Sequence, residues 1–481
     1  MTDDRGRLGS GTTPEMRQIL DLEDSAPDEL FALLPGATVP FWAQVRMQIA
    51  WMLSAQSTGS VGVATDDWTR WGEVRRLAKG FAPSRTDAER RARPKEVLFY
   101  VGGGTLAAEG RRARNWLVED FAEVTPSAVV VQRRPLPTPL GPPTFTPTLS
   151  MEGTIARARL WARRRAVPSE TTAMIDTLLG FFADELALPS AGVASLRARV
   201  LRTEKHSPFE LDGLRRVIRR IRPRVVLMDT ASYTYNAETV GAFKDAGAYV
   251  VEPQHGWIGP SHAAYNYGAA FWDPRLRRAL PDELITFGDF WSEGVRTPSR
   301  THAIGKPHLA KRAGEASSAR PRRIMVVSSR ADPEETDRFV LDLRETVGPE
   351  WEVLFRPHPA ERDAVDQRYP GIAARAGVEV DVNADVYESL AHTRVVVGVA
   401  STVLFEAAAF GCEVIVRDSE FSAAIVGDAF GTPLRTAADV AARVRRIATG
   451  AVGSVEPDPH LWAPDPVGRY RRWLPDRLAS H

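Results

Sequence analysis

Along the chain, short apolar runs that end in polar or small residues alternate with stretches of helical periodicity. In the back half Ile324–Val327, Val353–Phe355 and Val395–Val399 are such runs, each leading towards a helix-like segment. In the front half VLFYV (97–101), Ala128–Gln132, RVVLMDTASY (224–233), Tyr249–Val251 and the start of 283–294 repeat the pattern. Strands alternating with helices predict parallel sheets of βαβ units, whose ligands bind beyond the carboxyl ends of the strands. Between these runs the periodicity is helical. Residues 14–58 carry Phe41, Val45, Ile49 and Met52 on one face, and residues 151–222 carry the stripe Leu214, Val217, Ile218 and Ile221. Both read as core-facing helices, with a membrane-surface helix the alternative for the arginine-rich second one.

These elements divide the chain. Residues 1–13 read as a disordered lead, 84–95 as a charged loop, and the proline-rich stretch 133–150 as a loop or linker. A strand closing on Gly305-Lys306-Pro307 marks a boundary between a first unit (14–306) and a second (307–450). Residues 451–481 hold Trp462, Tyr470, Trp473 and Leu474, too apolar for a free tail, and are expected to pack back on the first unit.

The residues that close the back-half strands are Ser328, Ser329 and Arg330, then Arg356 and His358, then Ser401, Thr402 and Glu406. No carboxylate occurs among the first seven, which suits an anion. Val403–Phe410 reads as a helix stopping at Gly411, with Ser401 at or near its N-cap, where free N–H groups and the helix dipole favour phosphate. Glu406 follows Thr402 by four residues, on the same helix face, and is read as the acceptor of ribose hydroxyls.

In the front half, Gly102, Gly104 and Ala107 fit a loose dinucleotide fingerprint, but the next strand ends in Gln132 and Arg133 where that fingerprint needs an acid. A nicotinamide or flavin site is therefore disfavoured. Bare backbone at Gly103 and Gly104 either admits an acceptor molecule or forms a tight turn. Asp229 closes the 224–233 run, and Gln254-His255-Gly256 follows the strand at 249. A histidine at a strand's carboxyl end is placed for proton transfer, although a structural role fits a lone His equally. His262, in a loop with Ser261, Tyr265 and Tyr267, reads as a substrate contact or an exposed side chain.

Composition removes several classes. With 481 residues, more than one core is expected. Lys plus Arg number 62 against 61 Asp plus Glu, so no global field exists for nucleic acid. A single cysteine, Cys412, excludes a disulfide framework or a cysteine zinc site and is expected to be buried. No apolar run approaches the ~20 residues of a membrane span, and the opening MTDDRGRLGSG does not read as a signal peptide, so a cytoplasmic protein is expected.

With these pieces placed, the chain resembles the GT-B glycosyltransferases: two Rossmann-like domains facing across a cleft, with extra N-terminal helices and a C-terminal segment crossing back. Arg356-Pro357-His358-Pro359 followed by Ser401-Thr402 is similar to the HP and Ser/Thr motifs of bacterial sialyl- and Kdo-type transferases and of teichoic-acid glycerophosphotransferases. Gln254-His255-Gly256 resembles the base-bearing segment of these groups, in the His-Gly form of the glycerophosphotransferases rather than the acidic Asp-Gly form of the sialyltransferases. The wider run through FGDFW looks like capsule and surface-polysaccharide biosynthesis proteins. The resemblance implies a metal-independent, inverting transfer from a nucleotide sugar (CMP-, UDP- or GDP-linked), without a further cofactor, to a saccharide or lipid-linked saccharide acceptor. The donor would be held by Ser329, Arg330, Arg356, His358, Ser401, Thr402 and Glu406. His255 would be the base, with Asp229 in reserve or orienting it, and Gly103, Gly104, Gln254, Gly256 and His262 would meet the acceptor. A lipid-linked acceptor would bring peripheral contact with the inner face of the membrane. The alternatives are a polyol-phosphate (CDP-glycerol type) transferase, a UDP-sugar 2-epimerase-like enzyme, and a non-catalytic protein of the same fold.

Overall fold

The computed structural model describes residues 12–58, 85–102, 104–133, 142–316, 320–330, 332–375, 377–449 and 458–481. The expected lead up to residue 11, Gly103 and much of the proline-rich stretch lie outside them. The first unit contains β1 (Val97–Val101), a small hairpin β2 (Leu106–Glu109) and β3 (Arg112–Asn115), β4 (Ala128–Gln132), β5 (Thr148–Ser150), β6 (Val225–Met228), β7 (Tyr249–Pro253), β8 (Glu283–Thr286) and β9 (Arg300–Ala303). The second contains β10 (Arg323–Val327), β11 (Glu352–Arg356), β12 (Val378–Val380), β13 (Val395–Gly398) and β14 (Glu413–Val416).

The hairpin apart, the first set forms one parallel sheet in the order β5-β4-β1-β6-β7-β8-β9, and the second a parallel sheet in the order β12-β11-β10-β13-β14. In both, the chain builds outwards on one side of the opening strand and then crosses to its other side. Each sheet therefore has a switch point, β1/β6 in one and β10/β13 in the other, where successive loops diverge and open a crevice. Two Rossmann-like α/β units result, the GT-B arrangement anticipated above. Strands β1, β6 and β13 are buried along their whole length, as unbroken apolar runs covered on both faces must be.

Alternate residues of the first sheet feed two cores. Leu98, Tyr100, Val226 and Met228 meet Leu214, Val217, Ile218 and Ile221 of the helix Ser190–Ile221, so the arginine-rich helix turns its apolar stripe to the sheet. On the opposite face Val97, Phe99, Val225 and Leu227 meet Tyr470, Trp473 and Leu474 of the last helix, Pro466–Ser480. That helix is pinned by hydrogen bonds as well. Trp473 Nε1 donates to Glu283 at 2.9 Å, Arg477 pairs with the same carboxylate at 2.7 Å, and the Tyr470 hydroxyl meets Thr125 Oγ1 at 2.9 Å.

Two short elements depart from the sequence reading. Thr148–Ser150 is an edge strand where a loop was expected. Pro147 just before it accepts from Val130 N through its carbonyl, a role that needs no N–H of its own. Ala88–Arg91 is a helical turn inside the charged stretch, anchored by the buried Ala88 and Ala92. Cys412 is fully buried, and burial pushes its thiol up to about 12.

The units are in direct contact. Met47, Tyr265, Leu284 and Trp291 share one apolar cluster with Met325, Leu354, Leu404 and Phe405. Trp257 Nε1 donates to Ile425 O at 2.9 Å, and Trp462 Nε1 to Phe405 O at 3.1 Å. At the centre of this contact Lys306 Nζ, just beyond β9, lies 2.5 Å from Glu406 Oε1 in the second unit.

Candidate active site

In the first unit, β1, β4, β6 and β7 deliver their ends to one edge. Gly102 follows β1, and its N–H donates to Asp229 Oδ2 at 2.8 Å. A Cβ there would stand 3.4 Å from both that oxygen and Arg133 Nη2, in ordinary van der Waals contact. Arg133, at the place where a dinucleotide site would put an acid, reaches back to the Asp229 carboxylate and to Asn236 Oδ1 at 2.9 Å. Asp229 is thereby committed to Gly102 and Arg133.

His255 stands beyond β7 with 22% of its side chain exposed and its Nδ1 buried without a hydrogen bond, 3.7 Å from Glu252 Oε1. Burial pushes its pKa down, against an upward pull from Asp229, so the ring is neutral at neutral pH and can accept a proton. Glu252, which the sequence reading did not single out, is wholly buried. It accepts from Ser232 N at 2.5 Å and from the Tyr265 hydroxyl at 3.0 Å, and burial raises its carboxyl to about 7. The sequence reading offers Asp229 alone as the reserve base or the group that orients His255; the structure sets Glu252 in ion-pair range of the ring.

Gln254 is turned inwards. Its Oε1 accepts from Phe287 N at 2.7 Å and its Nε2 donates to Gly256 O at 2.8 Å, so its amide fixes the loop that carries His255. His262 packs among Tyr233, Trp257 and Tyr265. Its Nδ1 accepts from Ala264 N at 3.1 Å, which puts the ring proton on Nε2, 3.1 Å from the Tyr233 hydroxyl. Burial drives its pKa down to about 3. Gly104 and Gly256 border open space, since an added Cβ at either would meet nothing within 4 Å.

In the second unit, the register places Val327 beside both Arg356 and Gly398, so three strand ends leave side by side. Ser401 caps the helix Thr402–Ala409, its Oγ accepting from Val403 N at 3.2 Å. His358 caps the turn Pro359–Ala364, with Nδ1 accepting from Ala360 N at 3.2 Å, which leaves Nε2 to carry the ring proton. Burial lowers its pKa, and the charge of nearby Arg330 lowers it further. Arg330 is exposed, with a left-handed φ of 68°, beside the half-buried Ser329. Ser328 is engaged below them, donating to Glu361 Oε2 at 2.6 Å.

Two residues read as donor contacts are spoken for. The Arg356 guanidinium is buried on Asp381, with Ser389 Oγ at 3.5 Å. Glu406 lies one turn inside the helix, where it accepts from Lys306 and, at 2.9 Å, from the Tyr387 hydroxyl. A carboxylate at that depth serves the contact between units in this structure. Arg417, at the end of β14 and overlooked in the sequence, is on the same edge: its N–H donates to Gly398 O at 2.8 Å while its guanidinium pairs with Glu335 at 2.7 Å. Among the described residues no group of three or more His, Cys, Asp and Glu is placed to hold a metal ion, and no helix is long and apolar enough to cross a membrane.

The protein is thus a two-unit Rossmann-like α/β chain with an imidazole at one strand edge and hydroxyl, imidazole and guanidinium donors at the other. No protein-family model and no curated protein matches its sequence. Among solved structures it is similar to the UDP-GlcNAc 2-epimerase of Methanocaldococcus jannaschii in complex with UDP-GlcNAc and UDP, at 8% identity over 79% of this chain and 99% of that one, with a TM-score of 0.45. HepE of Anabaena in complex with UDP and glucose aligns at 12% identity over 80% and 100%, TM-score 0.43. The glycotransferase of kitacinnamycin aligns at 14% identity over 81% and 96%, TM-score 0.41.

Proposed function

We propose that this chain is a glycosyltransferase that moves a sugar from a nucleotide-activated donor to a saccharide or lipid-linked saccharide of the cell surface, with inversion. One observation carries the reading. A neutral, partly open imidazole at the first unit's strand edge has a buried carboxylate behind it and lies within the field of Lys306, whose ammonium is bonded to the very helix that starts at Ser401. A proton acceptor and an anion-binding helix start are thereby tied into one assembly.

In the reaction, the acceptor hydroxyl attacks the anomeric carbon while His255 takes its proton, and the bond from that carbon to the donor phosphate breaks. The departing nucleotide carries away the electron pair. Its growing charge is met by the helix N–H groups, Ser401, Thr402, Ser329, Arg330 and the Nε2–H of His358. Glu252 steadies the imidazolium as it forms. Gly104 and Gly256 leave room for the acceptor. Arg356, through Asp381, and Glu406, through Lys306, hold the donor-side elements in place.

The test is a thermal-shift series with CMP, CDP, UDP, GDP and UDP-sugars, followed by turnover of the donor that binds. A ligand that binds only the native state raises the melting temperature. Ser401→Ala and His358→Ala are expected to lose the shift, while His255→Ala keeps it and loses transfer. Turnover of CDP-glycerol alone, or epimerisation of a UDP-sugar without acceptor, would overturn the reading, as would full transfer by His255→Ala.

A further inference from the structure

In the first unit, the helix Glu152–Ala162, which starts just after β5, crosses the helix Ser190–Ile221 in close contact. Gly213 makes the approach possible, because a Cβ there would fall 2.2 Å from Thr154 Cγ2. Glu89 sits at the crossing and takes hydrogen bonds from Thr154 and Arg157 at 2.6 Å and from Arg216 at 2.7 Å. Arginines from both helices are thus gathered around Glu89, and Asp87 nearby pairs with Arg157 at 3.4 Å and with Arg90 at 3.9 Å. Together with Arg90, Arg219 and Arg220 these arginines line a cleft of about 520 Å³, in which five guanidinium groups outnumber the carboxylates of Glu89 and Asp87 that pair with them. Arg219 and Arg220 are exposed and form no ion pair among the described residues.

This charge is local. Residues 151–222 carry fourteen Lys and Arg against eight Asp and Glu, whereas the whole chain is at +1. The patch also has an apolar border. Trp161, 54% exposed, lies four residues beyond Arg157 and so on the same helix face, and Leu160 beside it is 43% exposed. Arg163, Arg164 and Arg165 follow directly. A soluble polyanion would need the guanidinium groups but not the indole. Anionic lipid asks for both: phosphates for the arginines and a headgroup layer for a tryptophan that is apolar on its body and polar at its N–H.

We infer that the cleft of Arg90, Arg157, Arg216, Arg219 and Arg220, bordered by Trp161 and Leu160, docks the protein on an anionic bilayer surface. The inference is independent of the reaction proposed above. It is tested by co-sedimentation of the full chain with vesicles of phosphatidylcholine alone or mixed with phosphatidylglycerol. Binding is expected only to the mixed vesicles, and to weaken as salt rises. Arg219→Glu with Arg220→Glu spares the Glu89 clamp and is expected to weaken binding by about 25-fold or more, at about 5-fold per arginine. Trp161→Ser is expected to weaken binding while leaving its salt dependence intact. An unchanged melting temperature shows that each variant is folded. Equal binding to both vesicles, indifference to the arginine pair, or arginine-dependent capture of inorganic pyrophosphate without vesicle binding would overturn it.

Discussion

The two strand edges share a topology and differ in chemistry. Around His255 the first unit packs Tyr233, His262, Tyr265 and the buried Glu252 into a ring-rich network whose members hold one another and leave His255 partly open. The second unit sets Ser329, Arg330, His358 and Ser401 at its edge as partly open or exposed donors, with Asp381 and Glu361 consumed below them. A proton-transfer group has to be held in one geometry and tautomer, which burial provides. An anion grip has to offer donors to an incoming ligand, so its hydroxyls and cations stay at the rim. On the proposed reading the same fold would serve both needs, because its switch point fixes where the loops diverge but not which residues they carry.

The sharpest break of this contrast is His255→Ala. It is expected to lower kcat by about 10²–10⁴-fold while leaving the ligand-induced thermal shift in place, read by parallel turnover and melting assays. Next is the link between the edges. Lys306→Met strands the Glu406 carboxylate in the interior and is expected to cost ~3–5 kcal/mol in urea unfolding, most of which Lys306→Met with Glu406→Leu should return.

Acidity sharpens the comparison further. With a folded pKa of about 7 against an ordinary 4.5, Glu252 holds its proton more tightly in the native state. Its contribution is therefore full below about pH 4.5 and is lost as pH rises through about 7. Relative to the wild type, Glu252→Gln should gain stability across that window, on the order of 3 kcal/mol. His262, lowered to about 3, works in the opposite sense: its contribution is present above the ordinary histidine range and is lost as pH falls. The Glu252→Gln variant should keep that acid-side loss. The smallest effect belongs to Ser401→Ala, at ~1 kcal/mol of stability for the missing cap, with the ligand shift gone as well.

Much of the fold was legible because its signals are local. Unbroken apolar runs marked β1, β6 and β13, and Gly411, at φ 72°, ended the helix that Ser401 begins. The strand Thr148–Ser150 was hidden because its flank is proline-rich and an edge strand needs few N–H donors. The candidate site was legible as positions but not as partnerships. Whether Arg356 is open to an anion depends on Asp381, and whether Glu406 can face a ribose depends on Lys306, 100 residues away. Pairing of this kind exists only once the units pack. Glu252 had a readable signal, an acid directly after the apolar run Tyr249–Val251, and it lay only three residues from His255.

The last helix has a consequence for how the protein is made. Tyr470, Trp473 and Leu474 complete a core whose other walls, Val97, Phe99 and Val225, are synthesised long before them. During translation the first unit therefore waits, with part of one sheet face uncovered beside Leu117 and Phe121, until the second unit has been made. A chain stalled after β14 would display that apolar face to every chaperone and protease within reach, so quality control would register an unfinished protein at its front rather than at its broken end.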